Sequence, residues 1–131
     1  MKSLVVEDDF TGRLILQKTL EKLGDCHIAV NGEEALSAFK ISLEENARYD
    51  LICLDILMPV MNGHEVLRRI RKIEEQNDIS PRNGVKVIVI TSLRDNDNVA
   101  TAFDAQCDYY ITKPLHVEKL LALIASMHLT N

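Results

Sequence analysis

Acidic, hydroxyl and amino side chains directly follow four short apolar runs of this 131-residue chain. Glu7-Asp8-Asp9 follows the apolar run that ends at residue 6, and Asp55 follows the run over residues 51–54. Thr91-Ser92 follows the run that ends at residue 90, and Lys113-Pro114 follows the run that ends at residue 112. Neighbouring carboxylates raise one another's pKa unless a cation lies between them. A cluster of oxygen ligands, with no Cys or His at ligand spacing, suits Mg²⁺ better than zinc. If the fold brings them together, Glu7, Asp8 and Asp55 therefore predict a magnesium site.

Lys113 alone cannot balance three carboxylates, so a divalent ion is their natural complement. Mg²⁺ and Lys113 together would form an electropositive pocket for an incoming phosphoryl group, and Thr91 could donate a hydrogen bond to one of its oxygens. Each piece alone has an ordinary structural explanation, because acids after a strand often cap a helix and a lone lysine is usually solvated. Their joint occurrence at four strand ends favours a functional site.

Short continuous apolar runs alternate along the chain with stretches whose apolar residues have helical spacing. These two patterns predict the strands and helices that must position the polar residues. Five short apolar, β-branched runs predict strands over residues 3–6, 27–30, 51–54, 85–90 and 109–111. Five stretches with helical spacing follow them, and the fourth has the weakest apolar stripe, formed by Val99, Ala102 and Phe103. Strands that alternate with helices predict an α/β fold, a doubly wound parallel sheet with helices on both faces.

An open parallel sheet places the carboxyl ends of its strands at one edge, where ligands bind at the switch point of the strand order. The four polar groups would therefore meet in one crevice. The second strand ends at Asn31 without a comparable group, as expected of an edge strand. Gly24 is expected just after the first helix, Asn31-Gly32 is expected to form a turn before the second helix, and Asn62-Gly63 is expected to precede the third.

Length and composition predict a single domain over residues 1–131. The formal net charge of −5 argues against direct nucleic-acid binding, which needs a surplus of Lys and Arg. No apolar run reaches the roughly 18–20 residues that cross a bilayer, so neither a membrane span nor secretion is expected. Cys26, Cys53 and Cys107 are typical of reduced, buried thiols in a cytoplasmic protein. A solvated helix face is predicted for the basic residues Arg68, Arg69, Arg71 and Lys72.

The sequence resembles the receiver domain of two-component response regulators, particularly single-domain receivers of the chemotaxis-regulator type. Four blocks in order carry the resemblance: residues 4–9 (LVVEDD), residues 55–63 (DILMPVMNG), Thr91-Ser92 and Lys113-Pro114. The match spans essentially the whole chain. It implies a flavodoxin-like five-stranded parallel sheet of order 2-1-3-4-5 with five helices. It also implies a signalling protein that catalyses only its own phosphorylation and dephosphorylation, and is not otherwise an enzyme.

The resemblance assigns roles around the acids. Asp55 would be the phosphoacceptor, whose carboxylate attacks phosphorus and becomes an acyl phosphate. Asp8 and Asp55 would hold Mg²⁺ together with the backbone carbonyl of Leu57, while Glu7 would act through a water molecule. Asp9 would flank the site or cap the first helix.

The resemblance also implies a switch. Lys113 would pair with the phosphoryl group, Thr91 would be the switch hydroxyl, and the rotamer of Tyr110 would be coupled to it. Phosphorylation would then repack the face formed by the fourth helix, fifth strand and fifth helix. A cis peptide bond before Pro114 is also expected on this basis.

Four positions, in two parts of the fold, suggest departures from the family. Gln106-Cys107 replaces a usual glycine-alanine pair before the fifth strand. Leu57 and Leu93 flank the expected path of the attacking water, and neither can position it by hydrogen bonding. We therefore expect slow self-dephosphorylation, and an unchanged decay rate in Leu57→Asn would contradict that expectation.

Two other functional classes stay open. A pseudo-receiver would serve only as an interaction module, but it would be expected to lack one of the acids or the lysine. An aspartyl-phosphate phosphatase of the haloacid dehalogenase type would need a general acid two residues after its nucleophile, where this chain has Leu57.

The expected partners are a histidine kinase or a His-phosphotransfer protein, docked at the crevice rim and first helix, and an unknown protein target. The domain is expected to be a monomer or a phosphorylation-dependent dimer. Because Met1 lies just before the first strand, a stand-alone regulator is favoured over a receiver excised from a larger protein.

Overall fold

Five parallel strands form one sheet in the order β2-β1-β3-β4-β5. The computed structural model describes residues 1–92, 100–102 and 105–129. The strands are β1 (Ser3–Val6), β2 (Cys26–Ala29), β3 (Leu51–Leu54), β4 (Lys86–Thr91) and β5 (Tyr109–Thr112). The predicted flavodoxin-like order and α/β class are confirmed, with β2 one residue earlier, β4 one residue later and β5 one residue longer than predicted.

Helices follow each strand and lie on both faces of the sheet. They are α1 (Phe10–Glu21), α2 (Gly32–Glu44), α3 (Gly63–Gln76), α4, which is described at residues 100–102, and α5 (Val117–Ser126); a 3₁₀ turn covers Pro81–Asn83. Val99 and Phe103 of the predicted fourth stripe lie outside the described residues, as does Leu93.

Asparagine and aspartate side chains start the first three helices. Asp9, Asn31 and Asn62 each accept a hydrogen bond from a backbone N–H in the first turn, at 2.9–3.1 Å. An N-cap of this kind satisfies a donor that has no partner inside the helix. Of the two roles expected for Asp9, flanking the site or capping the first helix, the cap is observed. Gly32 and Gly63 are the first helical residues, not part of a preceding turn.

Two hydrophobic layers cover the sheet. Leu4 and Val6 belong to the layer shared with α2 and α3, whereas Val5 belongs to the layer shared with α1 and α5. Side chains alternate between the faces of a strand, so each central strand contributes to both layers. β1 and β3 are fully buried, which explains why their residues are apolar except for Ser3 at the start of β1.

The cysteines are only partly as predicted. Cys53 and Cys107 are buried, but Cys26 is half-buried because it begins the edge strand β2. None of the helices within the described ranges is long and apolar enough to cross a membrane.

Candidate functional site

Three carboxylates meet at the carboxyl edge of the sheet. One oxygen from each of Glu7, Asp8 and Asp55 lies within 4.8 Å of the others. Glu7 and Asp55 are buried, with 1% and 5% of their surface exposed, while Asp8 is exposed at the rim. The cluster thus has a buried floor and one side open to solvent.

Backbone hydrogen bonds hold the two buried acids side by side. Asp55 N–H donates to the Val6 carbonyl at 3.0 Å, and Glu7 N–H donates to the Ala29 carbonyl at 3.1 Å. These bonds extend the pairing of β1 with its two neighbours by one residue. The acids therefore sit where the sheet ends, and their positions follow from strand register.

Lys113 reaches this cluster from the other end of the chain. Its Nζ lies 3.4 Å from Glu7 Oε2 and 3.7 Å from Asp55 Oδ2. The Lys113 backbone N–H donates to the Thr91 carbonyl at 2.8 Å, and the expected cis peptide bond precedes Pro114. The crevice predicted from strand ends therefore contains an amine within ion-pair distance of two acids.

Glu7 has a raised pKa because its carboxylate is buried beside a second carboxylate. Burial first, and the neighbouring Asp55 carboxylate second, raise the pKa of Glu7 to about 7, although the Lys113 ammonium opposes them. One lysine thus leaves negative charge in the cluster undercompensated. A divalent cation would remove this repulsion.

The donor set fits a hard cation. Three carboxylates supply oxygen atoms only, and no His or Cys of the part of the chain that the structure describes belongs to this cluster. Mg²⁺ prefers oxygen ligands and keeps several waters, which the exposed side at Asp8 would admit. The residues present therefore fit a magnesium ion.

The loop after Asp55 turns back sharply towards the acid. Leu57 N–H donates to Asp55 Oδ1 at 3.2 Å, which fixes that carboxylate. A Cβ atom at Gly63 would lie 2.4 Å from the Asp55 carbonyl oxygen, so only glycine allows this approach. The Leu57 side chain is 52% exposed.

The predicted switch residues occupy β4 and β5. Thr91 is the last residue of β4, is fully buried and pairs in register with Thr112. Tyr110 is half-buried and packs against the layer shared with α2 and α3. The coupling of Thr91 to Tyr110 and the part played by the Leu57 carbonyl stay predictions.

Sequence reasoning missed Arg13, whose guanidinium contacts the backbone of the acids. Its Nη1 donates to the carbonyls of Glu7 at 3.3 Å and Asp8 at 3.2 Å. A cation close to the N-terminus of a helix opposes the helix dipole. This unfavourable position is the feature of the sequence that could have drawn attention to Arg13.

Comparisons with known proteins agree on one family. The sequence model described as "Response regulator receiver domain" matches residues 3–125. The chain is 36% identical over 131 residues to regulatory protein VanRB of Enterococcus faecalis, covering 97% of this chain and 52% of that protein. It is 37% identical over 127 residues to hybrid signal transduction histidine kinase G of Dictyostelium discoideum, covering 95% of this chain and 3% of that protein.

Solved structures show the same fold. A CheX–CheY–BeF3–Mg²⁺ complex from Borrelia burgdorferi matches with a TM-score of 0.81 and 26% identity, covering 97% of this chain and 88% of the matched chain. The chain spans about half the length of VanRB, and only a small part of the hybrid kinase.

Proposed function

Because this chain belongs to the response regulator receiver domain family, we propose that it accepts a phosphoryl group on Asp55 in a two-component phosphorelay. Residues 1–131 would form one such domain. The observation that carries this proposal is the position of Lys113 Nζ, 3.7 Å from Asp55 Oδ2, beside two further acids.

Asp55 is suited to act as the nucleophile. Its Oδ1 is held by the Leu57 N–H, and its other oxygen faces Lys113. Attack by a carboxylate oxygen forms the new bond to phosphorus, while the bond to the donor's leaving group breaks. Phosphoryl transfer needs alignment and neutralisation of charge more than further covalent chemistry.

Lys113 would pair with the transferred phosphoryl oxygens, in place of its present carboxylate partners. Asp8 and Asp55 would hold Mg²⁺ with the Leu57 carbonyl, and Glu7 would act through a water molecule. The bound ion would supply positive charge to the same oxygens. The support for this assignment is the oxygen-only cluster and its uncompensated charge.

The signal would pass from Asp55 to the surface formed by α4, β5 and α5. Phosphorylation adds roughly −1.5 to −2 charge and new acceptor oxygens. Thr91, at the end of β4, would move towards these oxygens, and Tyr110 would fill the space. Such a change biases two pre-existing states of the domain.

The partner that donates the phosphoryl group would be a histidine kinase or a His-phosphotransfer protein, acting in the cytoplasm. It would dock on α1 beside the crevice, where the apolar side chains of Phe10, Leu14 and Ile15 are 67%, 37% and 41% exposed. The output would be a contact with a second protein, and we propose only that this target is a protein.

Acetyl phosphate as a small phosphodonor tests this function. We expect wild-type protein to gain one phosphoryl group by mass spectrometry with Mg²⁺, and none with EDTA. Asp55→Asn should not be labelled, whereas Asp78→Asn, which removes an exposed acid on another loop, should be labelled normally. Absence of label in wild type would indicate an interaction module, and rapid multiple turnover would indicate a phosphatase.

A further inference from the structure

Arg13 binds the chain segment that carries two of the acids. Its Nη1 donates to both the Glu7 and Asp8 carbonyls, and its own backbone N–H donates to the Asp9 carbonyl at 2.9 Å. Arg13 is half-buried as a residue, and its Cζ lies 5.6 Å from the centroid of the Phe10 ring. One residue of α1 therefore contacts each of the three consecutive residues of the acidic turn.

These carbonyls need donors because they lie beyond the sheet. Val6 is the last residue of β1, and its carbonyl accepts from Asp55. The next two peptide groups turn away into α1, where sheet pairing does not continue. A backbone carbonyl left without a donor costs free energy when it is not solvated, and the bond to the Glu7 carbonyl is partly buried while the bond to the Asp8 carbonyl is exposed. Arg13 therefore stabilises this turn mainly through the Glu7 carbonyl.

The charge of Arg13 is not used in an ion pair among the described residues, where its hydrogen bonds go to carbonyls. Near the start of α1 a cation is also unfavourable for the helix. Both observations indicate that the guanidinium is kept for the hydrogen bonds of Nη1, whose two N–H groups lie in a fixed plane and can each serve one of the two carbonyls.

We propose that Arg13 is a positioning residue for magnesium, which fixes the Glu7 and Asp8 peptides and so orients their carboxylates. The inference rests on the proposed function of these acids as metal ligands. Groups that orient metal ligands typically change metal affinity about 10–100-fold when removed.

A purely electrostatic role would have the opposite sign. If Arg13 acted through its charge alone, its removal would leave the acids more negative and would tighten Mg²⁺ binding. If it acts by position, its removal loosens the turn and weakens Mg²⁺ binding. The direction of the change therefore separates the two roles.

Isothermal titration of Mg²⁺ into Arg13→Met, Arg13→Lys and wild-type protein provides the test. We expect Arg13→Met to bind Mg²⁺ about tenfold more weakly. Arg13→Lys should also bind more weakly, because it keeps the charge but its Nζ lies one bond nearer to the backbone than Nη1 and is not held in the guanidinium plane. Arg69→Met, which removes an exposed arginine paired with Glu65 on α3, should bind as wild type does.

Two further readouts exclude a merely structural effect. In EDTA, the Asp9 amide, which donates to Glu7 Oε1 at 3.3 Å, should exchange faster in Arg13→Met while the melting temperature reports a folded protein. With acetyl phosphate, the Mg²⁺ concentration for half-maximal labelling should rise, whereas the rate at saturating Mg²⁺ should return close to that of wild type.

The outcomes are distinguishable. Equal or tighter Mg²⁺ binding by folded Arg13→Met would overturn the inference and leave the proposed function standing. If wild-type protein itself bound no Mg²⁺, the proposed function would fail first and the inference with it. If Arg13→Met did not fold, Arg13→Lys would decide, since unchanged affinity in that variant contradicts a geometric role.

Discussion

At the scale of single residues, Glu7 combines burial with a charged neighbourhood. Its carboxylate is almost fully buried beside Asp55, and Lys113 is its ion-pair partner at 3.4 Å. Burial favours the neutral acid, and the Asp55 charge acts in the same direction. The result is a pKa of about 7, compared with an ordinary value of 4.5, in the metal-free site.

The raised pKa of Glu7 predicts how stability changes with pH. Between pH 4.5 and about 7 the folded state holds a proton that the unfolded state releases, so metal-free protein loses stability as pH rises through this window. In EDTA, urea unfolding should show this loss in wild type, up to about 3 kcal/mol, and much less of it in Glu7→Gln. A wild-type profile parallel to that of Glu7→Gln would contradict the prediction.

Val60, in the loop after Asp55, has a backbone conformation that β-branched residues rarely adopt. Its φ is 70° and its side chain is fully exposed, so no packing compensates the steric cost. We expect Val60→Gly to increase the free energy of unfolding by about 0.5–1 kcal/mol. Urea denaturation checks this, with Val60→Ala as the control; equal stability of the two variants would argue against backbone strain.

At the scale of elements, Arg71 connects α3 to the beginnings of β4 and β5. It donates to Glu74 at 2.7 Å, to Asp108 at 3.2 Å, and to the carbonyls of Val85 and Gln106. Its side chain is only 13% exposed, so the prediction that Arg71 lies on a solvated helix face is wrong. The two acids also accept backbone hydrogen bonds from β4 and its preceding residue.

Removing Arg71 should be strongly destabilising. Arg71→Met leaves the Glu74 carboxylate buried without its cation, and such a loss typically costs about 3–5 kcal/mol. Arg68→Met should change stability by less than about 1 kcal/mol, because that arginine forms an exposed pair with Glu65. Chemical denaturation of both variants gives the comparison. A small effect at Arg71 would mean that water solvates Glu74 in the variant.

At the scale of the whole molecule, one sheet buried by two helical layers determines which groups solvent can reach. Cys53, in the central strand β3, is completely buried, and burial raises its pKa to about 12. Burial also raises the pKa of Cys107 to about 11. Cys26 is half-buried on the edge strand.

Thiol labelling therefore reports on the integrity of the fold. In native protein near pH 8, iodoacetamide should modify Cys26 first, while Cys53 and Cys107 react only after unfolding. Peptide mass spectrometry after short exposure, with and without urea, measures this order. Fast native labelling of Cys53 would show that the central sheet opens readily.

Much of the architecture could be predicted from local pattern. Apolar β-branched runs with polar residues at their ends indicated the strands, and Asp9 was correctly placed as a helix cap. The convergence of Glu7, Asp8, Asp55 and Lys113 followed from the rule that parallel strands end at one edge. Strand ends could not be placed to the residue, because β2 and β4 are set by register with their neighbours.

By itself, the sequence determined the α/β class and the composition of the crevice, since both depend on periodicity and on which residue follows a strand. The strand order was implied only by the resemblance to the receiver family. Only the tertiary structure decided that Arg71 is buried, that Arg13 binds the carbonyls of the acidic turn, and that Cys26 is half-buried. These features depend on contacts between elements that folding brings together. The spacing of apolar residues within one helix or strand does not indicate such contacts.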